Sequence, residues 1–218
     1  MNKYRLLFED GVSMPVLRYD TGVINLPAWA RTVFGVDELE HIHRIPDPVA
    51  FSSYVERLQY RVNQLKNNIE DINVALQKIK NEILVPLVGD VLKFQFPPSI
   101  RCHLAGAGTA SSFHKDGESK YGISLHSLNL WIPLTRAWGN NSIHIEQSVD
   151  LGTYRAVTLY PGEILVFDAY HLTHGYFPNN TQSSRISIDI RFVPKDISIA
   201  RELGMYAKTL SSHQTERS

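Results

Sequence analysis

Hydrophobic residues recur at helical spacing between positions 49 and 85. Nine of them follow one another three or four positions apart: Val55, Leu58, Val62, Leu65, Ile69, Ile72, Leu76, Ile79 and Ile83. The intervening positions are mostly charged or amide residues, so the pattern predicts an amphipathic helix with one apolar face. The helix either continues unbroken or divides near Asn67 and Asn68, where Asn68 and Asp71 are candidate caps of a second helix.

Two interpretations of this apolar face remain open. It could cover a β-sheet of its own domain, or it could form a homodimer through residues 55–83 in the manner of a coiled coil. A further alternative makes the long helix the functional part of an interaction module.

The pattern changes after Phe94 to short alternating or apolar runs separated by Gly, Pro, Asn and Ser. The candidate strands are Ile100–Ala105, Leu128–Leu134, Ser142–Gln147, Tyr154–Leu159, Glu163–Phe167, His174–Phe177 and Ser184–Val193. Many short strands with frequent turns are typical of a sandwich or barrel rather than of a βαβ array. A last helix is expected over Ile197–Leu210.

The predicted fold class is therefore mainly β with flanking helices. Residues 1–90 are expected to provide loops and the amphipathic helix or helix pair that packs on the sheet. Residues 91–195 are expected to form the β core, and residues 196–218 a C-terminal helix and tail, all within one structural domain.

Composition narrows the classes of partner. The chain has 218 residues, in which 22 Lys and Arg balance 22 Asp and Glu, so the formal net charge is zero. This balance argues against a nucleic-acid surface and against a polybasic membrane anchor. The single cysteine, Cys102, excludes an intrachain disulfide and a cysteine-rich zinc site, and no apolar run is long enough to span a membrane. A reducing cytoplasm is the expected location, and a small molecule the expected partner.

Side chains alternate between the two faces of a strand, and three predicted strands combine an apolar face with a polar or aromatic one. The second kind of face carries Arg101 and His103 in one strand, Asn129, Trp131 and Pro133 in another, and Arg185, Ser187, Asp189 and Arg191 in the third. Polar faces on such apolar strands indicate a binding cavity inside a β-sandwich.

A turn at Pro178–Asn180 predicts an antiparallel hairpin between the strands that flank it. In that register residue 174 lies opposite residue 187, and directly opposed residues share a face. The hairpin would therefore place His174 on the same face as Arg185.

His114 and Asp116 stand two positions apart, so in an extended segment they face the same way and can meet one metal ion. A His-x-Asp pair is a weak signal by itself. Two histidines and one carboxylate are, however, the donor set of mononuclear non-heme Fe(II) oxygenases, which keep other coordination positions free. A guanidinium such as that of Arg185 suits the remote carboxylate of a dicarboxylic acid.

These motifs together resemble the signature of Fe(II)/2-oxoglutarate-dependent oxygenases, specifically the phytanoyl-CoA hydroxylase-like branch. More narrowly they resemble small oxygenases of streptomycin-type and carbohydrate biosynthetic clusters. The motifs are Phe113–Asp116, Leu128–Leu134, Pro161–Glu163, His174-Gly175 and Arg185–Arg191. The resemblance implies a double-stranded β-helix (jelly roll, cupin-like), with Fe(II) as cofactor and 2-oxoglutarate and O2 as co-substrates. It implies hydroxylation, or another oxidation, of an unactivated C–H bond in a small polar metabolite.

The resemblance also implies roles for individual residues. Iron would be held by His114, Asp116 and His174, with no catalytic residue beyond these ligands, and the far carboxylate of 2-oxoglutarate would pair with Arg185. Further candidates for co-substrate binding are Ser187, Asn129, Arg101 and His103.

Other residues are candidates for the wall and mouth of the pocket. Trp131 is expected to form part of the wall. Glu118, Lys120 and Tyr121 follow the metal motif in a stretch that is either a lid or an ordinary surface loop.

Several histidines and one arginine have competing interpretations. His171 competes with His174 as the distal ligand, but His174 is followed by Gly175 and its spacing to Arg185 matches the family. His103 could equally be a core histidine. His126 and His144 are expected in a loop and on a strand surface, and Arg191 is expected to pair with Asp189 or Asp168.

The residue at position 116 bears on the type of reaction. Halogenating relatives carry a small residue where this chain has Asp116, so an oxidation without halogenation is expected. The alternative function is a cupin-like metal- or sugar-binding protein, or an isomerase, without O2 chemistry. Such a protein has no need for the carboxylate anchor that Arg185-x-Ser187 provides.

Overall fold

A computed structural model of the chain describes residues 4–7, 14–106, 112–118 and 122–207. The strands are β1 (Tyr4–Leu7), β2 (Met14–Arg18), β3 (Val91–Phe94), β4 (Ser99–His103), β5 (Leu128–Pro133), β6 (His144–Glu146), β7 (Tyr154–Ala156), β8 (Glu163–Phe167), β9 (His174–Gly175) and β10 (Arg185–Pro194). The α-helices are α1 (Leu26–Phe34), α2 (Tyr54–Lys66), α3 (Asn73–Lys78), α4 (Val85–Val88) and α5 (Ile197–Glu202).

The segment with helical periodicity is not one continuous helix. A 3-10 turn at Ile69–Ile72 separates α2 from α3, and a π-helical segment at Ile79–Leu84 joins α3 to α4. The division falls at Asn67 and Asn68, where the sequence pattern allowed it. Asn68 does not cap the next segment, because its side-chain amide donates instead to the carbonyl of Gln64, 2.9 Å away.

The apolar face of this helical region packs into the core of the same protein. Val62, Leu65, Ile72, Leu76 and Ile79 are buried in one cluster with the apolar face of β10. These positions therefore pack against a sheet of the same protein, in agreement with the first interpretation of the apolar face. Because this face is already occupied, it does not support the predicted homodimer, which stays a prediction.

The main sheet is antiparallel, and β10 is its second strand from one edge. Its order is β1-β2-β8-β5-β10-β3, and β4 also pairs with β10. β5 follows one edge of β10, whereas β4 and β3 share the other edge, β4 along its first half and β3 at its end. β10 is the longest of the described strands, with ten residues.

A smaller sheet of order β7-β6-β9 completes an architecture that is compatible with a cupin-like fold. Here β9 pairs with β6, and His174 lies opposite Ile145. The hairpin predicted between β9 and β10 is therefore wrong. Although a turn does join them, the two strands enter different sheets, and His174 reaches the cavity from the sheet that faces Arg185.

The predicted division of the strands into two faces is confirmed in the main sheet. Arg185 lies opposite His103, Asp189 opposite Trp131, and Arg191 opposite Asn129, so their side chains share the inner face. The residues between them join the apolar cluster under the helices. A second apolar cluster fills the space between the two sheets beside the polar residues.

Three strands that the sequence pattern did not predict complete the main sheet. β1 and β2 form a hairpin whose second strand pairs with β8, and β3 pairs with the end of β10. The last helix, α5, is shorter than predicted, and residues 208–210 of the predicted span lie outside the described part of the chain. In the described part, none of the helices combines the length and hydrophobicity that crossing a membrane requires.

Candidate functional site

Two histidines and an aspartate from two distant stretches converge at the inner face. The candidate ligand atoms of His114, Asp116 and His174 all lie within 4.8 Å of one another. Asp116 Oδ1 is 3.8 Å from His114 Nε2 and 4.0 Å from His174 Nε2. An antiparallel bridge aligns the two histidines, since the backbone N–H of each donates to the carbonyl of the other at 3.0 Å.

The tautomers of both histidines follow from their hydrogen bonds. His114 Nδ1 lies 2.9 Å from the carbonyl of Ser112, and His174 Nδ1 lies 3.0 Å from the carbonyl of Leu172. Because a carbonyl only accepts, each Nδ1 carries a proton, and in the neutral imidazole Nε2 then keeps its lone pair. Burial lowers the pKa of His174 to about 4. At neutral pH the His174 imidazole is therefore uncharged and can act as a metal ligand.

Asp116 is buried and held by its backbone as well as by its side chain. Its N–H donates to the carbonyl of Ala169 at 2.8 Å. The turn continues through Gly117, where an added Cβ would lie 2.7 Å from the carbonyl oxygen of Tyr170, so the close approach requires glycine. Arg191 Nε donates to Asp116 Oδ2 at 2.8 Å. The expectation that Arg191 would pair with Asp189 or Asp168 is therefore wrong.

Arg185 is a fully buried cation with incomplete hydrogen bonding. Its Nε donates to the carbonyl of Asn141 at 3.0 Å, and its Nη1 donates to Ser187 Oγ at 2.6 Å. Its Nη2 has no hydrogen-bond partner among the described residues. The guanidinium carbon lies 5.1 Å from the ring centre of Tyr176 and 5.6 Å from that of Trp131. A buried charge with a free donor is a costly arrangement unless an anion completes it.

The convergent groups line one cavity between the sheets. Its described lining comprises Gln95, Ser99, Arg101, His114, Asp116, Asn129, Trp131, Ile143, His174, Gly175, Tyr176, Arg185, Asp189 and Arg191. Three predicted candidates, Arg101, Asn129 and Trp131, thus share the cavity with the His–Asp–His cluster and with Arg185.

Two other co-substrate candidates lie behind the cavity wall. Ser187 supports Arg185 through its hydroxyl. His103 is fully buried, its ring lies 4.9 Å from that of Tyr176, and neither ring nitrogen has a partner among the described residues. Burial, reinforced by the positive charge of Arg185, lowers the pKa of His103 to about 3. The imidazole is therefore neutral at physiological pH.

The charges at the mouth of the cavity are paired. Arg101, whose side chain is 48% exposed, lies 3.5 Å from the carboxylate of Asp189. Burial raises the pKa of Asp189, and the nearby Arg101 opposes this effect.

Four remaining candidates lie away from the cluster or outside the described residues. His171 Nδ1 binds Asp168 at 2.8 Å and faces a separate depression with Arg201, which leaves His174 as the distal member. Glu118 is exposed and is not part of the described cavity lining. Lys120 and Tyr121 lie outside the described residues.

His144 corrects an expectation, and His126 agrees with one. His144 is only 6% exposed and packs edge-on against Phe177, so the prediction of a strand-surface position was wrong. His144 belongs to β6 of the smaller sheet, and its side chain is buried there rather than exposed to solvent. His126 lies in a turn, and its carbonyl accepts from the Tyr206 hydroxyl.

Sequence reasoning missed several residues of the site. Tyr176 contacts Arg185, Asn141 accepts from it, and Gln95 holds the backbone of Arg191 at both its N–H and its carbonyl. Residue alternation had placed Arg191 on the correct face. No local pattern marks Gln95 or Asn141, because their partners lie on strands far away in sequence.

A more open groove adjoins the cavity and shares Gln95 and Arg191 with it. The remaining described lining consists of Leu92, Lys93, Phe94, Phe96, Gly122, Ile123, Ser124, Ser127, Phe192 and Val193. The groove thus mixes apolar and polar side chains, with two cationic side chains and no carboxylate among its described lining residues.

Comparisons with known proteins agree with this architecture. The chain is 31% identical over 179 residues to the streptomycin biosynthesis protein StrG of Streptomyces griseus, which covers 82% of this chain and 84% of StrG. EvdO2 from Micromonospora carbonacea var. aurantiaca, solved in complex with 2-oxoglutarate, superposes with a TM-score of 0.53 at 14% identity, over 88% of this chain and 93% of EvdO2. No family model matches the chain. The resemblance to proteins of streptomycin-type biosynthetic clusters is thereby confirmed in sequence by StrG, and EvdO2 shares the fold.

Proposed function

The chain belongs to the family of the streptomycin biosynthesis protein StrG, and on this premise we propose that it is a non-heme Fe(II)- and 2-oxoglutarate-dependent oxygenase. The proposed reaction uses O2 to oxidise an unactivated C–H bond of a small polar metabolite in a biosynthetic pathway. One observation carries the proposal: a His–Asp–His cluster and a buried arginine with a free Nη2 line the same cavity.

The donor set fits ferrous iron. His114 Nε2, His174 Nε2 and Asp116 Oδ1 would hold the ion, since both imidazoles carry their proton on Nδ1 and present a lone pair to it. Three protein ligands leave positions free for a chelating co-substrate and O2. Bound there, the metal would supply O2 activation coupled to 2-oxoglutarate decarboxylation, chemistry that side chains do not provide.

Arg185 suits the distal carboxylate of 2-oxoglutarate. Its free Nη2 would donate a charge-assisted hydrogen bond, while Asn141 and Ser187 hold the other two nitrogens in place. Tyr176 and Trp131 keep water from the guanidinium, which strengthens its attraction for an anion. Asn129 and Arg101, on the same wall of the cavity, are the proposed polar contacts along the rest of the co-substrate.

The substrate would enter beside Arg191, where the groove meets the cavity. The carboxylate at position 116 favours hydroxylation, or another oxidation such as desaturation or ring formation, over halogenation. A cupin-like protein without O2 chemistry is less consistent with the site, because the buried guanidinium of Arg185 would then remain incompletely paired.

Anaerobic titration tests this proposal without a known substrate. Fe(II) and then 2-oxoglutarate are added to the full-length protein while the weak visible charge-transfer absorption of the chelate is followed. The expected result is a band that saturates at one equivalent of each. Iron binding without such a band would favour the metal-binding alternative, and absence of iron binding would refute the proposal.

Removal of the carboxylate ligand gives a second test. Asp116→Gly deletes one of three proposed ligands, so Fe(II) affinity should fall more than about 100-fold and the charge-transfer band should disappear. Asp37→Gly is the matched control, because Asp37 is exposed, lies in a bend and is not part of the described cavity lining. Unchanged iron binding and succinate formation in Asp116→Gly would mean that the ligand assignment is wrong.

A further inference from the structure

We propose that Arg191 is a positioning residue that makes Asp116 a single-oxygen metal ligand. This inference rests on the proposed iron site and extends it to a residue outside the ligand set. Arg191 Nε donates to Asp116 Oδ2 at 2.8 Å. The other oxygen, Oδ1, is the one that faces the Nε2 atoms of His114 and His174.

The two oxygens of Asp116 are therefore already differentiated. A free carboxylate can bind a metal through one oxygen or chelate it through both. The charge-assisted hydrogen bond from Arg191 occupies Oδ2 and leaves Oδ1 for the ion. Chelation by Asp116 would take a fourth coordination position, whereas the single-oxygen mode keeps three positions open for co-substrate and O2.

The backbone of Arg191 is pinned so that this contact is maintained. Its N–H donates to Gln95 Oε1 at 3.1 Å, and its carbonyl accepts from the Gln95 N–H at 2.8 Å. On the other side, β10 places Arg191 opposite Asn129 of β5. The guanidinium thus reaches Asp116 from a strand that is bonded along both edges.

The contact is more buried than the pair that Arg18 makes in the same sheet. Arg18 pairs with Glu163 at 3.4 Å with its side chain 70% exposed, and such pairs contribute little. The Arg191 side chain is 33% exposed and that of Asp116 only 6%, so their contact is shielded from solvent. Its partner is, moreover, the only carboxylate of the candidate metal cluster.

Binding of Co(II), a spectroscopic substitute for Fe(II), tests the inference without turnover. The affinity and visible ligand-field spectrum of Co(II) are compared in wild type, Arg191→Gln, Arg191→Lys and the control Arg18→Gln. Arg191→Gln should weaken Co(II) binding about 10–100-fold and change the spectrum at saturating metal. Arg191→Lys should keep the charge without restoring the spectrum, because an ammonium lacks the fixed geometry of Nε–H. Arg18→Gln should match wild type.

A double-mutant comparison separates positioning from a general effect on folding. In an Asp116→Asn background, Arg191→Gln should cause little further loss of Co(II) affinity, because its partner carboxylate is gone. Wild-type affinity and spectrum in Arg191→Gln would overturn the inference. A loss of affinity that is equally large in the Asp116→Asn background would also overturn it. Failure of the wild-type protein to bind Co(II) or Fe(II) would overturn the proposed function as well.

Discussion

Alternate residues of one strand, β10, face two very different environments. Ile186, Ile188 and Ile190 are fully buried against the helices. Arg185 and Ser187 are equally buried on the opposite face, beside the cavity. Backbone pairing with β4 and β5 is shared by both sets, so the contrast comes from the side chains alone.

The comparison separates the residues that stabilise the fold from those that equip the site. Burying each isoleucine contributes about 1.5–3 kcal/mol. A buried donor without a partner, such as Arg185 Nη2, costs about 1–3 kcal/mol until a ligand completes it. The stability that the isoleucine face of β10 contributes therefore offsets the cost of the incompletely paired arginine on the opposite face. Such a trade-off between stability and function is common at binding sites.

Replacing the buried cation of the inner face should have the largest effect on co-substrate binding. Arg185→Met removes the charge-assisted anchor, so 2-oxoglutarate affinity should fall by about 2–5 kcal/mol, or roughly 30-fold or more. The ligand-free protein should melt at a higher temperature, because an incompletely paired buried charge is replaced by an apolar side chain. Calorimetric titration and thermal unfolding measure the two effects. Unchanged 2-oxoglutarate affinity would contradict the anchor role.

Truncation of an isoleucine on the outer face of β10, which packs against the helices, should lower stability and leave ligand binding nearly unchanged. Ile188→Ala leaves a cavity beneath the helices and should lower the free energy of unfolding by about 2–5 kcal/mol. The metal and 2-oxoglutarate affinities of the folded protein should stay near wild type. Urea unfolding measures the loss, with Val74→Ala, at a position that is 72% exposed, as control. A change as small as that of the control would mean that the outer face does not provide the stability assigned to it.

A smaller effect is expected from the hydroxyl that supports Arg185. Ser187→Ala removes the acceptor of Nη1, and hydrogen bonds to charged groups contribute about 1.5–3 kcal/mol. Because the arginine itself remains, we expect 2-oxoglutarate affinity to fall by only about tenfold. The exposed Ser52, which precedes α2 and is not part of the described cavity lining, provides the control variant Ser52→Ala. Equal affinities in the two variants would show that Ser187 does not orient the guanidinium.

The smallest effect concerns the response to acid. The pKa of His103 is about 3 in the folded protein, against an ordinary value of 6.5. Below pH 6.5, therefore, His103 becomes protonated in the unfolded chain while it stays neutral in the folded protein. Stability therefore falls as pH decreases from 6.5 toward 3. Between pH 6 and 5, the wild type should lose about 1 kcal/mol more than His103→Gln. Urea unfolding at the two pH values measures this difference.

Cys102 supplies the control from the outer face of β4. Burial raises the pKa of its thiol to about 12, so it stays neutral throughout this range. Cys102→Ala should therefore keep the acid response of the wild type. An identical response in His103→Gln would show that another group is responsible.

Local patterns predicted much of the site. The period of two along β10 placed Arg185 and Arg191 on one face, and the His-x-Asp spacing identified two members of the cluster. Resemblance to a family, not spacing, selected His174 over His171. The structure brings His174 to the cluster and ties His171 to Asp168.

Long-range pairing accounts for the errors. The turn after β9 suggested a hairpin, but β9 joins β6 in the other sheet. Arg191 was expected to pair with Asp189 on the same strand or with Asp168, yet it binds Asp116. The sequences of β1 and β2 lack a distinctive hydrophobic pattern. The two strands join the main sheet because β2 pairs with β8.

The amino-acid sequence by itself determined which side chains of each strand share a face and which residue types are available as metal ligands. These properties follow from the alternation of the backbone and from the identity of the residues. Only the tertiary structure decided that His174 approaches from the second sheet, that Arg185 retains a free donor and that Arg191 holds one oxygen of Asp116. Such contacts join segments tens of residues apart, and their geometry depends on the pairing and packing of the whole chain rather than on any local pattern.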